Sequence, residues 1–270
     1  RYAHLNVPFS HLASRIVDKL IYRKKLSIVA RQTIPAPIQT FAEVTLDRCD
    51  GQTEILRAVY PTDEALADAI AAAYRQVIAD LYKAGCRNIQ FDDCTWGMYC
   101  DTTFAAQIGL KPDDIQKICE LGVRLNNAAI EDQPDDLAIN THVCRGNYHS
   151  TYAFEGSYDP IAPYLFAKEN ARAFYLEFDT PRAGGFESLA HIADGKYVVL
   201  GLVTSKQPGL EDKETVKARI AEASKYVPLD HLCLSPQCGF ASCEIGNKLT
   251  EEEQWAKIAL VQEIAKEVWG

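Results

Sequence analysis

The segment LAINTHVC, residues 137–144, reads as a β-strand that delivers a histidine and a cysteine to its C-terminal end. Alternate side chains of a strand share a face, so His142 and Cys144 project together. The same arrangement recurs on either side. Residues 88–93 (NIQFDD) form a strand that ends in Asp92 and Asp93, and residues 173–179 (AFYLEFD) one that carries Glu177 late. Residues 231–235 form a strand followed by the turn SPQCGF, which presents Cys238. Residues 197–204 (YVVLGLVT) are continuously apolar, as a strand covered on both faces should be. Residues 26–34 supply one more strand, followed by the turn-rich TIPAPIQT.

Helical periodicity fills the gaps. Residues 62–83 place Leu66, Ile70, Tyr74, Val77 and Leu81 at helical spacing. Residues 112–129 and 211–226 read as helices, 158–170 as a less regular one and 188–193 as a short one. A capping box, Thr250 with Glu253 three residues on, opens a final helix. Its inward stripe is expected to be Trp255, Ile258, Ala259, Val261, Ile264 and Val268. Strand and helix alternate six times, which implies βα units and a parallel sheet. An open doubly wound sheet or a TIM (β/α)8 barrel would satisfy that count. The chemistry-bearing residues fall at C-terminal strand ends, the rim where barrel loops converge, and this favours the barrel. Residues 1–270 are expected to form one such domain, with about two βα units missing or upstream, so that the chain is N-terminally incomplete.

The chain has 270 residues, 47% of them hydrophobic and 24% charged, enough apolar material for a large core. A net charge of −9 with no Lys/Arg stripe argues against nucleic acid or an anionic membrane as partner. No segment is long and apolar enough to span a bilayer, and the N-terminus lacks a signal-peptide pattern. Nine cysteines without a secreted-framework spacing point to the reducing cytoplasm. Cys49, Cys86, Cys94, Cys100, Cys119 and Cys233 read as small buried or half-buried residues. Homo-oligomerisation is left open.

His142 and Cys144 offer half of a tetrahedral zinc site, although H-x-C alone arises often by chance. Cys238 lies between Pro236 and Gly239 in a turn that exposes a thiol at the rim. Glu177, among apolar neighbours, must face solvent, pair or bind metal. No dinucleotide fingerprint, P-loop or nucleophile elbow is present.

Together, THVCRGN, YLEFDT, LSPQCGF and the closing LTEEEQWAKIALVQEIAKEVWG resemble the catalytic domain of cobalamin-independent methionine synthase, in its short single-barrel form. The resemblance runs from about residue 26 onward. It implies a Zn2+ held by His142, Cys144, Glu177 and Cys238, a small thiol substrate (homocysteine), and a methyl donor such as a methylated folate. The implied activity is that of a 5-methyltetrahydropteroyltriglutamate–homocysteine methyltransferase, in which a zinc-bound thiolate takes the methyl group. Asp92 would hold the substrate amino group, with Asp93 beside it, and Arg145 and Asn147 are candidate substrate contacts. The family's proton-transferring histidine is replaced by Thr204, the candidate catalytic residue at that position. His149 and Lys206 read as solvent-facing, Cys243 as a competitor ligand, and Trp96 and Tyr99 as pocket lining or rim packing. Two other readings are an epoxyalkane:coenzyme M transferase-like thiol alkylation and a non-catalytic barrel with a structural zinc. Ligands drawn from separate strands, one of them a carboxylate, favour a catalytic site.

Overall fold

The computed structural model describes residues 31–46 and 51–270. Among these residues, six strands form one parallel sheet, ordered as they occur in the chain. They are β1 (Gln32–Pro35), β2 (Asn88–Asp93), β3 (Ala138–Val143), β4 (Ala173–Glu177), β5 (Tyr197–Val203) and β6 (Leu232–Pro236). The helices are α1 (Pro37–Thr45), α2 (Gln52–Val59), α3 (Asp63–Lys83), α4 (Thr95–Cys100), α5 (Thr102–Gln107), α6 (Pro112–Ala129), α7 (Leu165–Lys168), α8 (Lys213–Ala223) and α9 (Glu251–Trp269). Short 3-10 turns cover Pro181–Ala183, Glu187–His191 and Leu229–His231. The expected α/β class with a parallel sheet is therefore what forms.

Contacts divide the chain into two compact units. The first holds the described residues up to Asp92 together with Arg124–Asn140. Its helix α3 starts where Thr62 accepts a hydrogen bond from the Ala65 N–H, with Asp63 and Glu64 in the first turn favouring the helix dipole. Leu66, Ile70, Ile78 and Leu81 are buried, and the Tyr74 ring meets Phe91 of β2 edge-on at 6.0 Å. The strand expected over residues 26–34 is corrected in place: it lies at Gln32–Pro35, and residues 26–30 fall outside the described part. Pro37 then occupies the first helical turn of α1, where its missing N–H costs nothing.

The second unit holds Asp93–Val123 and Thr141–Gly270. Strand β5 is buried at six of its seven positions, as its apolar run requires. Between Gly201 and Val203 its register against β6 shifts. A Cβ on Gly201 would come within 2.6 Å of Gln237 Cα and 2.7 Å of Leu176 O, so only glycine lets the chain after β6 lie this close. The predicted helix over 158–170 shrinks to Leu165–Lys168, preceded by turns. Its buried Tyr158 and Phe166 pack into an aromatic cluster with Phe174, Phe178 and Phe186, which tertiary packing and not helical periodicity arranges.

The capping box of α9 forms as its sequence predicts. Its inward stripe, however, is Lys257, Leu260 and Ile264, whereas Trp255 is 58% exposed and Ala259 also faces out. Trp255 instead donates to Glu251, one helical turn back. The fully buried Lys257 is held by Gly209 O at 2.7 Å and by both Glu211 oxygens at 3.1 Å.

Candidate metal centre

Within the second unit, His142, Cys144, Glu177 and Cys238 each offer one ligand atom, and these atoms all lie within 4.8 Å of one another. Three separate segments bring them together. His142 lies near the end of β3 and Cys144 just past it, Glu177 is the last residue of β4, and Cys238 follows β6.

His142 is 5% exposed, and its Nδ1 lies 3.2 Å from Tyr175 O. A carbonyl can only accept, so Nδ1 carries the proton and Nε2 is presented to the cluster, 3.6 Å from Glu177 Oε1. The backbone N–H of Cys144 donates to Asp93 O at 3.2 Å. Gly97 of α4 packs so close to the Cys144 carbonyl that any Cβ there would overlap it. Hydrogen bonding from Cys238, then from Cys94 and His142, holds the Cys144 thiol well below the usual thiol range despite its burial. Burial has the opposite effect on Cys100 and Cys119, whose thiols are pushed up to about 11 and about 12.

Glu177 is 1% exposed and firmly positioned. Its backbone N–H donates to the Tyr158 hydroxyl at 2.8 Å, its Oε1 accepts the Arg145 N–H at 2.9 Å, and its Oε2 accepts from Arg182 Nη2 at 2.7 Å. Burial pushes its carboxyl above the ordinary range, and the charge of Cys144 adds to this. His142, Lys206 and Arg182 pull the other way. One imidazole, two thiols and one carboxylate suit zinc, and the second unit supplies a fixed tautomer and a carboxylate already held by a guanidinium. These residues fit the metal.

The other sequence-derived candidates are distributed as follows. Asp92 is half-buried and closes the first unit's part of β2. Asp93 is fully buried, and its Oδ1 accepts the Thr95 N–H at 3.1 Å. Arg145 is fully buried, its guanidinium 4.2 Å over the Tyr158 ring with one bond to Gly156 O at 2.7 Å. Asn147 donates to Gly239 O at 2.8 Å and to Ser242 Oγ at 2.9 Å, tying the loop after β3 to the loop that carries Cys238. Thr204, just past β5, has its N–H on Glu211 at 2.8 Å and its hydroxyl accepting the Lys206 N–H at 3.2 Å. Trp96 and Tyr99 are core residues, 1% and 5% exposed. Among the described residues Cys243 is outside the cluster.

Three expectations change. Lys206 is buried at 8% exposure, where the sequence predicts a solvent-facing loop residue. His149 is half-buried, with Nδ1 3.2 Å from Gly246 O, and holds a loop in the left-handed region at φ 45°. Cys233 is exposed, since it sits on the face of β6 turned from the core. Cys49 lies outside the described residues. Cys94, read from the sequence as a small buried or half-buried cysteine, and Arg182 are members of the site whose part in it the amino-acid order leaves undecided. Arg182 is five residues beyond Glu177, a spacing without regular periodicity, and only the turn Pro181–Ala183 brings it back.

The sequence profile of the cobalamin-independent synthase catalytic domain matches residues 13–267. The Bacillus subtilis (strain 168) protein YxjG is 43% identical over 243 residues, covering 88% of this chain and 61% of its own length. This chain thus spans less than two thirds of that relative. A 5-methyltetrahydropteroyltriglutamate–homocysteine methyltransferase of Herpetosiphon aurantiacus is 25% identical over 178 residues, 65% of this chain and 21% of that one. Among solved structures, a B12-independent methionine synthase from Shewanella sp. W3-18-1 in complex with selenomethionine superposes with a TM-score of 0.69 at 20% identity. It covers 96% of this chain and 66% of that one, a likeness of fold. The sequence motifs, the α/β architecture and the profile match over nearly all of its length agree: this chain belongs to the cobalamin-independent methionine synthase catalytic-domain family.

Proposed function

We propose that this chain is a zinc-dependent methyltransferase that methylates the sulfur of homocysteine to give methionine, with a methylated folate or another methyl carrier as donor. The observation that carries the reading is the convergence of His142, Cys144, Glu177 and Cys238 from three strand ends, inside a methionine-synthase-like family. Those four residues would hold the metal. A bound zinc ion supplies Lewis acidity that keeps a coordinating thiol deprotonated at neutral pH.

The protein's own groups account for the rest. Tyr175 O orients the His142 ring through Nδ1. The two cysteines bring negative charge, which makes a substrate sulfur beside them a better nucleophile. Glu177 is the donor most easily exchanged, because Arg182 and the Arg145 N–H compensate its charge whether or not it touches metal. Asp92 is assigned to the substrate amino group. Asp93, Arg145 and Asn147 act mainly by positioning the segments after β2 and β3. Thr204 is assigned to orient the methyl donor.

Zinc-edge X-ray absorption on the zinc-loaded protein, with and without homocysteine, tests this reading. One added sulfur in the metal shell, with methionine formed when a methyl donor is supplied, is the expected result. An unchanged shell with homocysteine would remove it as the substrate. A sulfonated thiol, favoured by the cations Arg182 and Lys206 beside the cluster, would then be the second reading.

A further inference from the structure

A cavity of about 430 Å³, within the size range of small-molecule sites, opens beside the metal centre in the second unit. Arg182, Lys206, Thr180, Thr204, Asp179 and Tyr152 are among its lining residues. Two cations against one carboxylate give the lining a net charge of +1, in a chain whose net charge is −9.

Its buried donors are not used up by the protein. Lys206 is 8% exposed, and its Nζ has no hydrogen-bonding partner among the described residues. Arg182, with a side chain 4% exposed, binds Glu177 and Asp179 through Nη2, while Nε and Nη1 have none. The Thr180 hydroxyl is also buried and unpartnered. The Tyr152 ring lies 4.6 Å from the Arg182 guanidinium and shields it. Buried charged donors without acceptors are costly, and native proteins keep them where a ligand completes the set. The chemistry that completes ammonium, guanidinium and hydroxyl donors is an oxyanion.

We propose that this cavity is an anion subsite, in which Lys206 and Arg182 take a carboxylate, sulfonate or phosphate carried by one of the two reacting molecules. The assignment rests on the reading of the adjacent cluster as the thiol site. It adds a specificity determinant: an acidic group on the thiol or on the methyl donor is recognised on the β4–β5 side of the metal centre.

Isothermal titration of the zinc-loaded wild type, Lys206→Met and Lys206→Arg tests it. The probes are homocysteine, 3-aminopropane-1-thiol (the same thiol and amine without the carboxylate) and 5-methyltetrahydrofolate. Loss of one charge-assisted hydrogen bond corresponds to about 10- to 100-fold in affinity. If the thiol's acid occupies the subsite, K206M weakens homocysteine by that factor, leaves 3-aminopropane-1-thiol unchanged, and K206R restores binding. If the donor's acid occupies it, the same loss and rescue appear with 5-methyltetrahydrofolate alone. Undiminished affinity of K206M for both acidic probes would overturn the proposal. Cobalt-substituted protein keeps the two readings apart, because thiol coordination alters its visible spectrum. Thiol binding to cobalt with no effect of K206M sinks only the anion subsite. Absence of thiol binding in the wild type sinks the thiol reading, and titration with inorganic sulfate, weakened in K206M, then decides the subsite alone.

Discussion

Two lysines of the second unit, Lys257 and Lys206, are buried, and they are served very differently. Lys257 of α9 is fully enclosed, with a backbone carbonyl and both oxygens of Glu211 around its ammonium. Lys206 is almost as enclosed, yet among the described residues no acceptor meets its Nζ. Desolvating an ammonium costs several kcal/mol in either place; hydrogen bonds within the chain compensate the first, whereas the second has only the unbonded attraction of the Glu177 carboxylate. The difference separates a cation that holds the fold from one held in reserve for something outside it. Burial alone would have placed both in the same class.

The largest way to break this comparison is Lys257→Met. Removing one partner of a buried pair leaves Glu211 without its cation, and a loss of about 3–5 kcal/mol in urea unfolding is expected. A Glu211→Leu partner change should recover part of it, because the stranded carboxylate is then gone too. A Lys257→Met variant as stable as wild type would show that the pair does not hold the fold.

Zinc provides the next test. At a free concentration 100 times its Kd it should stabilise the protein by about 2.7 kcal/mol, in wild type and in the Lys206 and Lys257 variants alike. The same addition should give no shift in His142→Ala. A shift that disappears with either lysine would place that lysine among the metal-holding groups.

Titration of the metal-free protein gives a smaller signal, about 1.4 kcal/mol for each unit of pKa displacement. Cys144 has a depressed folded value, so its contribution is present above the unfolded thiol pKa of about 8.5 and is lost as pH falls through the folded value. Glu177 has a raised value, so its contribution is present below the unfolded carboxylate pKa of about 4.3 and is lost as pH rises through the folded one. Cys144→Ser should flatten the thiol branch and shrink, without abolishing, the Glu177 branch, whose larger cause is burial, read by urea unfolding at a series of pH values. The smallest effect belongs to Lys206→Met in unfolding experiments. With no hydrogen bond to lose and only the charge of Glu177 nearby, its stability should change by less than about 1 kcal/mol or rise. A fall as large as that of Lys257→Met would end the distinction.

What could be read from the sequence follows from what is local. Alternation along residues 137–144 lets the amino-acid order alone pair His142, near the end of β3, with Cys144, just past it. The apolar run of β5 and the capping box of α9 are legible for the same reason. Family resemblance, and not spacing, links these to Glu177 and Cys238. The cavity is not legible. Arg182 returns to Glu177 through a 3-10 turn, and Lys206 is buried in a segment outside any helix or strand, so neither leaves a periodic trace. On α9, an amphipathic reading selects Trp255 over Lys257, because the physics that buries a lysine lies in its distant partner, Glu211.

That partner also ties the last helix to the cavity. Glu211 accepts the Thr204 N–H as well as the Lys257 ammonium, so α9 clamps the segment from which Thr204 and Lys206 face the cavity. The four candidate ligands lie on β3, β4 and the segments just after β3 and β6, whereas one wall of the neighbouring cavity is held from α9. A change in α9 can thus reach the cavity through Glu211 without touching any of the four candidate ligands: the shape of that cavity is set at a distance, by a helix that contributes nothing to its lining.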